Sequence, residues 1–236
     1  MSRGPGTPEG PRCDLRLAPP RDLAELRARA EDLTGRDVDD LAAKLGFRVR
    51  GTAARTKGKI GELIERALGA SGGSLALQDF PDLGVELKTV PLDPRGWPRE
   101  STFVCSISVA DADEAEWATS WTRLKLSHVL WVPIAVATDG PRRVGSPLFW
   151  RPTEEQDAVL RGDFEDAMGR IGRGDVEGVS AHLGRWLQVR PKAAHGRVRT
   201  AAFGVGGERI DTIPRGFYLR ARFTGALLSD PGALPA

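Results

Sequence analysis

Residues 78–88 of the chain read QDFPDLGVELK and combine a turn with the start of a strand. A proline and a glycine inside this stretch predict a turn that follows Asp79. The segment Gly84–Val90 then alternates between two faces, which predicts a β-strand. Because Glu86 and Lys88 are two positions apart, their side chains lie on one face, roughly 6–7 Å apart along the strand. The motif therefore predicts neighbouring carboxylate and amine groups, with a second carboxylate brought across the turn.

This arrangement suits the hydrolysis of a phosphodiester. Carboxylates from Asp79 and Glu86 can bind a hard cation such as Mg²⁺. Lys88 can orient the attacking water and offset the negative charge that builds on the phosphate. Glu65, at the edge of the apolar stripe of the preceding helix, is a further candidate. A Glu-x-Lys pair is also typical of a solvent-facing ion pair on an amphipathic strand, so these residues alone leave both interpretations open.

The rest of the chain mixes helical and strand patterns. Helical spacing of apolar residues is found at Arg21–Leu33, Val38–Leu45, Ile60–Leu68 and Glu154–Gly172. Strands are predicted at Gly84–Val90, Thr102–Val109, Val129–Ala137, Arg185–Val189 and Phe217–Phe223. A basic, glycine-containing loop is predicted at Phe47–Gly58. Helices around a mixed sheet, without strict βαβ alternation, predict an α/β (α+β) fold.

The composition excludes several classes of protein. The 236 residues are 40% hydrophobic and 28% charged, which is ordinary for a globular protein. No run of eighteen apolar residues occurs, so no membrane span is expected. The proline-containing start, residues 1–20, predicts a disordered leader and not a secretory signal. Two cysteines, Cys13 and Cys105, and three histidines without paired spacing argue against a disulfide framework and a zinc site. The expected compartment is the reducing cytoplasm.

The net charge of +2 conceals a segregated distribution of charge. Residues 44–59 contain six basic residues and no acidic one, and residues 185–222 contain nine basic and two acidic residues. Residues 153–177, between them, contain eight acidic and three basic residues. The two basic segments are where a polyanion such as DNA would dock. A solvated loop with scattered arginines is the alternative interpretation of the same segments.

Seven motifs, taken in order along the chain, resemble the MutH family of DNA mismatch-repair endonucleases. They are residues 57–65 (KGKIGELIE), Asp79 with 86–88 (ELK), 102–105 (TFVC), 129–133 (VLWVP), 143–148 (RVGSPL), 187–194 (LQVRPKAA) and 214–219 (PRGFYL). Each motif alone is weak, whereas the ordered set is specific. The resemblance covers roughly residues 20–228.

The resemblance implies a restriction-endonuclease-like fold, with a mixed central sheet flanked by helices and two lobes around a DNA cleft. It implies a monomer with a catalytic lobe at about 21–137, a DNA-reading lobe at about 138–228 and a flexible tail at 229–236. The implied cofactor is Mg²⁺, with Mn²⁺ or Ca²⁺ as alternative occupants. The implied activity is nicking of the unmethylated strand, 5′ to the G, at hemimethylated GATC sites in double-stranded DNA. MutL would activate the enzyme after MutS has found a mismatch.

The resemblance also assigns roles to individual residues. The catalytic set is Glu65, Asp79, Glu86, Lys88 and Lys125, and its three carboxylates would hold the metal. The DNA-binding set is Lys57, Gly58, Arg190, Pro191, Lys192 and Tyr218. In the second set, residues 190–192 would read GATC in the major groove and Tyr218 would sense adenine methylation. Phe103 matches an aromatic near the family's active site, but its place in a strand predicts a core residue.

Three other functions fit parts of the sequence. A restriction-type endonuclease would cut both strands at GATC, but such relatives carry a second copy of the domain or dimerise. A non-catalytic DNA-binding relative would have no need of the intact carboxylate–lysine set. A hydrolase of small phosphates would not explain the two basic segments that flank the motif. The sequence therefore favours the nicking endonuclease and leaves these three as alternatives.

Overall fold

The structure is a computed structural model, and it describes residues 17–47, 53–73, 77–136, 140–193 and 197–232. The side chains of residues 53–57 and 136 are outside this description. Most of the predicted leader, residues 1–20, and the end of the predicted tail, residues 229–236, also lie outside it. Across the described ranges, none of the helices has the length and apolar character needed to traverse a bilayer.

The helices of the described residues are α1 (Leu23–Asp32), α2 (Val38–Lys44), α3 (Ala53–Leu68), α4 (Trp121–Leu126), α5 (Glu154–Gly172) and α6 (Ala221–Ser229). Of these, α1, α2 and α5 begin and end close to the predicted limits, and α4 and α6 were not predicted. The side chains of Asp22 and Asp37 accept hydrogen bonds from the first backbone N–H groups of α1 and α2. Thr153 and Gln156 form a reciprocal capping box at the start of α5, and this helix has the predicted ends.

The start of α3 corrects one prediction. The segment Phe47–Gly58 was predicted to be a loop, but α3 begins at Ala53 and includes the last part of that segment. Alanine, arginine and lysine are strong helix formers, so this stretch can be helical without an apolar stripe. The apolar periodicity begins only at Ile60, the first buried residue of the helix whose side chain is described. The pattern therefore indicated only the part of α3 that begins at Ile60.

The strands form two main sheets and a hairpin. They are β1 (Glu86–Pro91), β2 (Thr102–Ser106), β3 (Val129–Val136), β4 (Arg142–Val144), β5 (Leu148–Trp150), β6 (Leu187–Pro191), β7 (Thr200–Phe203), β8 (Arg209–Thr212) and β9 (Arg215–Leu219). In the first sheet, β1 is parallel to β3, and β4 and β5 are antiparallel to β3. The second sheet is antiparallel in the order β2-β9-β6, and β7 pairs with β8. The architecture is therefore mixed α/β, as predicted.

Two predicted strands end early. β2 ends at Ser106 and not at Val109, although the N–H of Ile107 still donates to the carbonyl of Arg215. The predicted strand Phe217–Phe223 ends at Leu219, and Phe223 belongs to α6. Phe223 and Leu227 are both buried and four residues apart, which is the spacing of a helix face. The apolar run therefore crosses from a strand into a helix.

Two hydrophobic cores lie against β1 and β3. Leu87 and Leu130 belong to the core that includes α1, α2 and α3, whereas Val90 and Trp131 belong to the core that includes α5 and α6. Because β1 alternates, Glu86 and Lys88 lie on the same face as Val90. The cores interleave along the chain, and the lobe boundary near residue 137 stays a prediction. The sheet thus directs the carboxylate–lysine motif towards the half of the molecule that contains β2, β6 and β9.

Candidate active site

Asp79 lies at the start of a tight turn that leads into β1. The N–H of Phe80 donates to the carbonyl of Val85 at 2.9 Å, and the N–H of Val85 donates back to Phe80. Gly84 has φ of +63°, a left-handed conformation that favours glycine. One carboxylate oxygen of Asp79 then accepts a 2.7 Å hydrogen bond from the N–H of Leu87. The turn therefore holds the Asp79 carboxylate against the first residues of β1.

Glu86 is a buried carboxylate held by two lysines. Only 2% of the residue is exposed. The Nζ atom of Lys88 lies 2.5 Å from Oε1 of Glu86, and the Nζ atom of Lys125, near the end of α4, lies 2.9 Å from both oxygens. A buried charge requires such partners, because its desolvation is costly. The pair of Glu86 and Lys88 is therefore not a solvent-facing ion pair, and Lys125 joins it as the resemblance implied.

Glu65 approaches this cluster from α3. Gly58, Gly61 and Glu65 are spaced so that they share one face of the helix. A Cβ at Gly61 would lie 3.6 Å from Oγ1 of Thr89, so α3 packs closely on β1 at this point. The pKa of Glu65 is raised from 4.5 to about 6, first by burial and then by the charge of Asp79. The Glu65 carboxyl group is therefore within electrostatic reach of the turn and the strand.

The pKa of Asp79 is also raised from its usual value. Burial raises the pKa of Asp79 most, and the neighbouring charge of Glu86 raises it further. The N–H of Leu87 and the two lysines oppose this rise. Raised pKa values in a set of neighbouring carboxylates indicate a site of excess negative potential, which a bound cation would relieve.

The donor set suits a hard cation. Glu65, Asp79 and Glu86 offer carboxylate oxygens from three separate elements, the ligand type that Mg²⁺ prefers. As the side chains stand, however, no three acidic, histidine or cysteine side chains of the described ranges are close enough together to hold a metal ion. The oxygens of Glu86 instead accept hydrogen bonds from the two lysines. The metal set stays a prediction.

A cleft of about 540 Å³ lies beside the cluster and joins most of the predicted site residues. Its first wall includes the predicted residues Gly58, Glu65 and Lys88. Its second wall includes the predicted DNA contacts Arg190, Pro191, Lys192 and Tyr218. Asp79, Glu86 and Lys125 are not on the wall of the cleft, and Glu86 is connected to it through Lys88. Lys57 lies in α3, but its side chain is outside the described part of the chain.

An aromatic pair with basic neighbours forms part of the second wall. Phe103 of β2 is opposite Tyr218 of β9, and their ring centroids are 5.2 Å apart in an edge-to-face arrangement. The Nζ atom of Lys192 lies 4.0 Å from the centroid of Phe103, and the guanidinium of Arg190 lies 5.7 Å from that of Tyr218. The prediction that Phe103 is a core residue was wrong: β2 is an edge strand, and Phe103 is partly exposed on the wall of the cleft.

The sequence reasoning missed a connection between the two outer strands of the second sheet. Gln188 of β6 is buried, and its Nε2 atom donates a 2.6 Å hydrogen bond to Oγ of Ser101, which lines the cleft. Gln188 is also opposite Tyr218 in the second sheet. The bond therefore ties the segment before β2 to the strand that carries Arg190. A polar residue between Leu187 and Val189 was the available signal, but its partner lies 87 positions away.

Comparisons with known proteins identify the family of the chain. The family described as "DNA mismatch repair enzyme MutH" matches residues 68–163. The DNA mismatch repair protein MutH of Escherichia coli (strain SMS-3-5 / SECEC) is 49% identical over 216 residues, which cover 90% of this chain and 94% of the relative. The protein of the same name from Escherichia coli (strain K12) is 48% identical over 216 residues, which again cover 90% of this chain and 94% of the relative.

The identity extends well beyond the carboxylate–lysine motif. The matched 216 residues make up nine-tenths of the chain. The mixed α/β architecture agrees with the restriction-endonuclease-like fold that this family implies. The chain therefore belongs to the MutH family of DNA mismatch repair endonucleases.

Proposed function

We propose that this endonuclease nicks the unmethylated strand, 5′ to the G, at hemimethylated GATC sites, by Mg²⁺-dependent hydrolysis of the phosphodiester. The observation that carries the proposal is the single cleft of about 540 Å³ with two different walls. One wall presents Glu65 and Lys88, which suit phosphodiester chemistry, and the other presents Arg190 and Lys192, which suit base or phosphate contacts. A duplex in the cleft would meet both sets of groups at once.

The catalytic wall supports hydrolysis through its charges. Glu65, Asp79 and Glu86 would hold the ion, and bound Mg²⁺ would supply positive charge that offsets the charge growing on the phosphate. Lys88 places its ammonium group at the wall of the cleft, where it can orient the attacking water or stabilise the leaving oxygen. Lys125 forms a 2.9 Å ion pair with the buried Glu86 carboxylate and thereby fixes its direction. The two lysines thereby hold the Glu86 side chain in place before the ion and the DNA bind.

The second wall supports the reading of sequence. Pro191 stiffens the corner after β6, and the backbone N–H of Lys192 donates to the carbonyl of Pro214 at 2.7 Å. This corner can present the Lys192 amine to guanine acceptors in the major groove. Tyr218 packs edge-to-face with Phe103, which limits the motion of its ring. A methyl group on an adenine N6 facing this ring would change both the space and the hydrogen bonding available.

The regulation of the activity follows from the same family. We propose that MutL activates the enzyme, that MutS acts indirectly through MutL, and that the chain works as a monomer with Mn²⁺ or Ca²⁺ as alternative occupants of the Mg²⁺ site. An endonuclease that cut DNA without control would be harmful. The contacts of Glu86 with two lysines therefore suit an enzyme that is activated by a partner.

The test uses plasmids with GATC sites that are unmethylated, hemimethylated or fully methylated. Each is incubated with Mg²⁺, with and without MutL, and the Glu86→Ala variant is the matched inactive control. Nicking of only the unmethylated strand, stimulated by MutL, is the expected result. Linear product without MutL would support a restriction-type enzyme instead, and DNA binding without any cutting at low salt would overturn the proposed hydrolysis.

A further inference from the structure

Gln78 is a buried side chain that connects two parts of the active site. The residue is 6% exposed and immediately precedes Asp79. Its Nε2 atom donates hydrogen bonds to the carbonyl oxygens of Gly84 at 2.9 Å and Leu124 at 3.0 Å. The same atom lies 3.5 Å from Oγ of Ser127. One amide group therefore contacts both the turn before β1 and the end of α4.

These contacts are adjacent to three residues of the proposed site. Gly84 lies two residues before Glu86, and Leu124 immediately precedes Lys125. Lys125 makes a second link between the same two segments: its Nζ atom donates to the carbonyl of Leu77 at 3.3 Å as well as to Glu86. The segment 77–79 and the end of α4 are thus joined in both directions. A movement of the Gln78 amide would be transmitted to both Asp79 and Lys125.

The chemistry of the contact requires a donor with two hydrogens. Both backbone partners of Gln78 are carbonyl oxygens, which only accept hydrogen bonds. Methionine has a similar length and volume but no donor. It would leave the Gly84 carbonyl without this hydrogen bond, whereas the Leu124 carbonyl would keep its bonds from the N–H and the hydroxyl of Ser127. Glutamate would have the right shape but would place a carboxylate against two carbonyl oxygens and near three other carboxylates. The amide is therefore the side chain that satisfies this position without adding charge.

We propose that Gln78 is a positioning residue that fixes Asp79, Glu86 and Lys125 relative to one another for metal binding. The proposal rests on the proposed function, since it assumes that the three carboxylates hold a divalent cation. Groups that orient metal ligands typically change metal affinity about 10–100-fold when they are removed. Gln78 touches neither the cleft nor the carboxylate oxygens, so its effect acts through the backbone of the turn and of α4.

The experiment compares the wild-type chain with Gln78→Met. Mn²⁺ binding is measured by calorimetry, and single-turnover cleavage of a GATC duplex is measured over a range of Mg²⁺ concentrations. We expect Gln78→Met to raise the Mn²⁺ dissociation constant and the half-saturating Mg²⁺ concentration at least about tenfold. The cleavage rate at saturating Mg²⁺ should change much less, because the lysines and carboxylates are all retained. If Gln78→Met does not fold, Gln78→Asn, which keeps the amide on a shorter arm, should show a smaller rise.

A matched control separates positioning from general stability. Ile171 is buried at the end of α5, outside the cleft, and Ile171→Ala should lower the melting temperature without changing Mn²⁺ affinity. Wild-type Mn²⁺ affinity in a folded Gln78 variant with a lowered melting temperature would overturn the positioning role and leave the proposed function intact. Absence of Mn²⁺ binding by the wild-type chain would overturn both, and the two failures are therefore distinguishable.

Discussion

Replacing Glu65 by glutamine should stabilise the metal-free protein while it removes the metal response. The pKa of Glu65 is raised to about 6 by burial and by the charges of Asp79, Glu62 and Glu86. The folded chain therefore binds the Glu65 proton more tightly than the unfolded chain. This contribution to stability is complete below about pH 4.5 and is lost as the pH rises through about 6.

The size of the effect follows from the two pKa values. The difference between 4.5 and about 6 corresponds to about 2 kcal/mol of stability lost between acid and neutral pH. Glutamine is neutral at every pH, so Glu65→Gln should unfold with a free energy up to about 2 kcal/mol higher than wild type at pH 8. For a chain of this length that difference is a rise of about 4–8 °C in melting temperature. At pH 4 the two proteins should be equally stable.

Urea unfolding at pH 4 and pH 8, in the presence of a chelator, measures both differences. Glu165→Gln is the matched control, because Glu165 is exposed on α5 and pairs only with Arg161, and it should change stability by less than about 0.5 kcal/mol. Addition of Mg²⁺ at pH 8 should then stabilise the wild-type chain and not Glu65→Gln. Two results would contradict this role of Glu65: a Glu65→Gln protein that is less stable than wild type at pH 8, or one that Mg²⁺ stabilises as much as it stabilises the wild type.

Three further substitutions test the remaining parts of the site. Glu86→Ala should abolish cleavage and leave salt-sensitive DNA binding in a gel-shift assay, and unaltered cleavage would remove Glu86 from the site. Lys192→Ala should lower discrimination between GATC and single-base variants by about 1–3 kcal/mol in a cleavage assay, and a retained preference would assign Lys192 to phosphate positioning. Lys125→Met removes one of the two lysines that contact Glu86 and should slow single-turnover cleavage about 10–100-fold, whereas a wild-type rate would show that cleavage does not need Lys125.

The central strand and its motif could be predicted from the sequence because their signals are local. Alternation along β1 placed Glu86 and Lys88 on one face, and the proline–glycine turn returned Asp79 to that face. These features depend on a few neighbouring residues. The helix α5 could be predicted equally well, since its capping box and its apolar spacing are both contained in one segment.

Contacts between segments that are distant in the chain could not be predicted from the sequence in the same way. The partly exposed position of Phe103 depends on the pairing of β2 with β9, which places Phe103 beside Tyr218 on the wall of the cleft and which no property of residues 102–106 shows. The hydrogen bond between Gln188 and Ser101 joins segments that are far apart in the chain. The alternation of β1 also did not show that Glu86 would be buried between two lysines, because Lys125 comes from α4.

The early part of α3 shows a different limit. Its sequence contains helix-forming residues but no apolar stripe before Ile60, so the search for periodicity missed it. Propensity without burial is a weak signal when it is used alone. The same limit explains why the end of β9 was extended into α6: apolar residues at positions 217–223 fit a strand until packing places Phe223 on a helix face.

The most direct test of the central claim follows the two strands of one duplex. A duplex with a single hemimethylated GATC, labelled on both strands, is incubated with the wild-type chain, MutL and increasing Mg²⁺, and the products are separated under denaturing conditions. We predict one product, cut 5′ to the G on the unmethylated strand, that appears only with Mg²⁺ and is absent with Glu86→Ala. Equal cutting of both strands, or the same product from Glu86→Ala, would contradict the account.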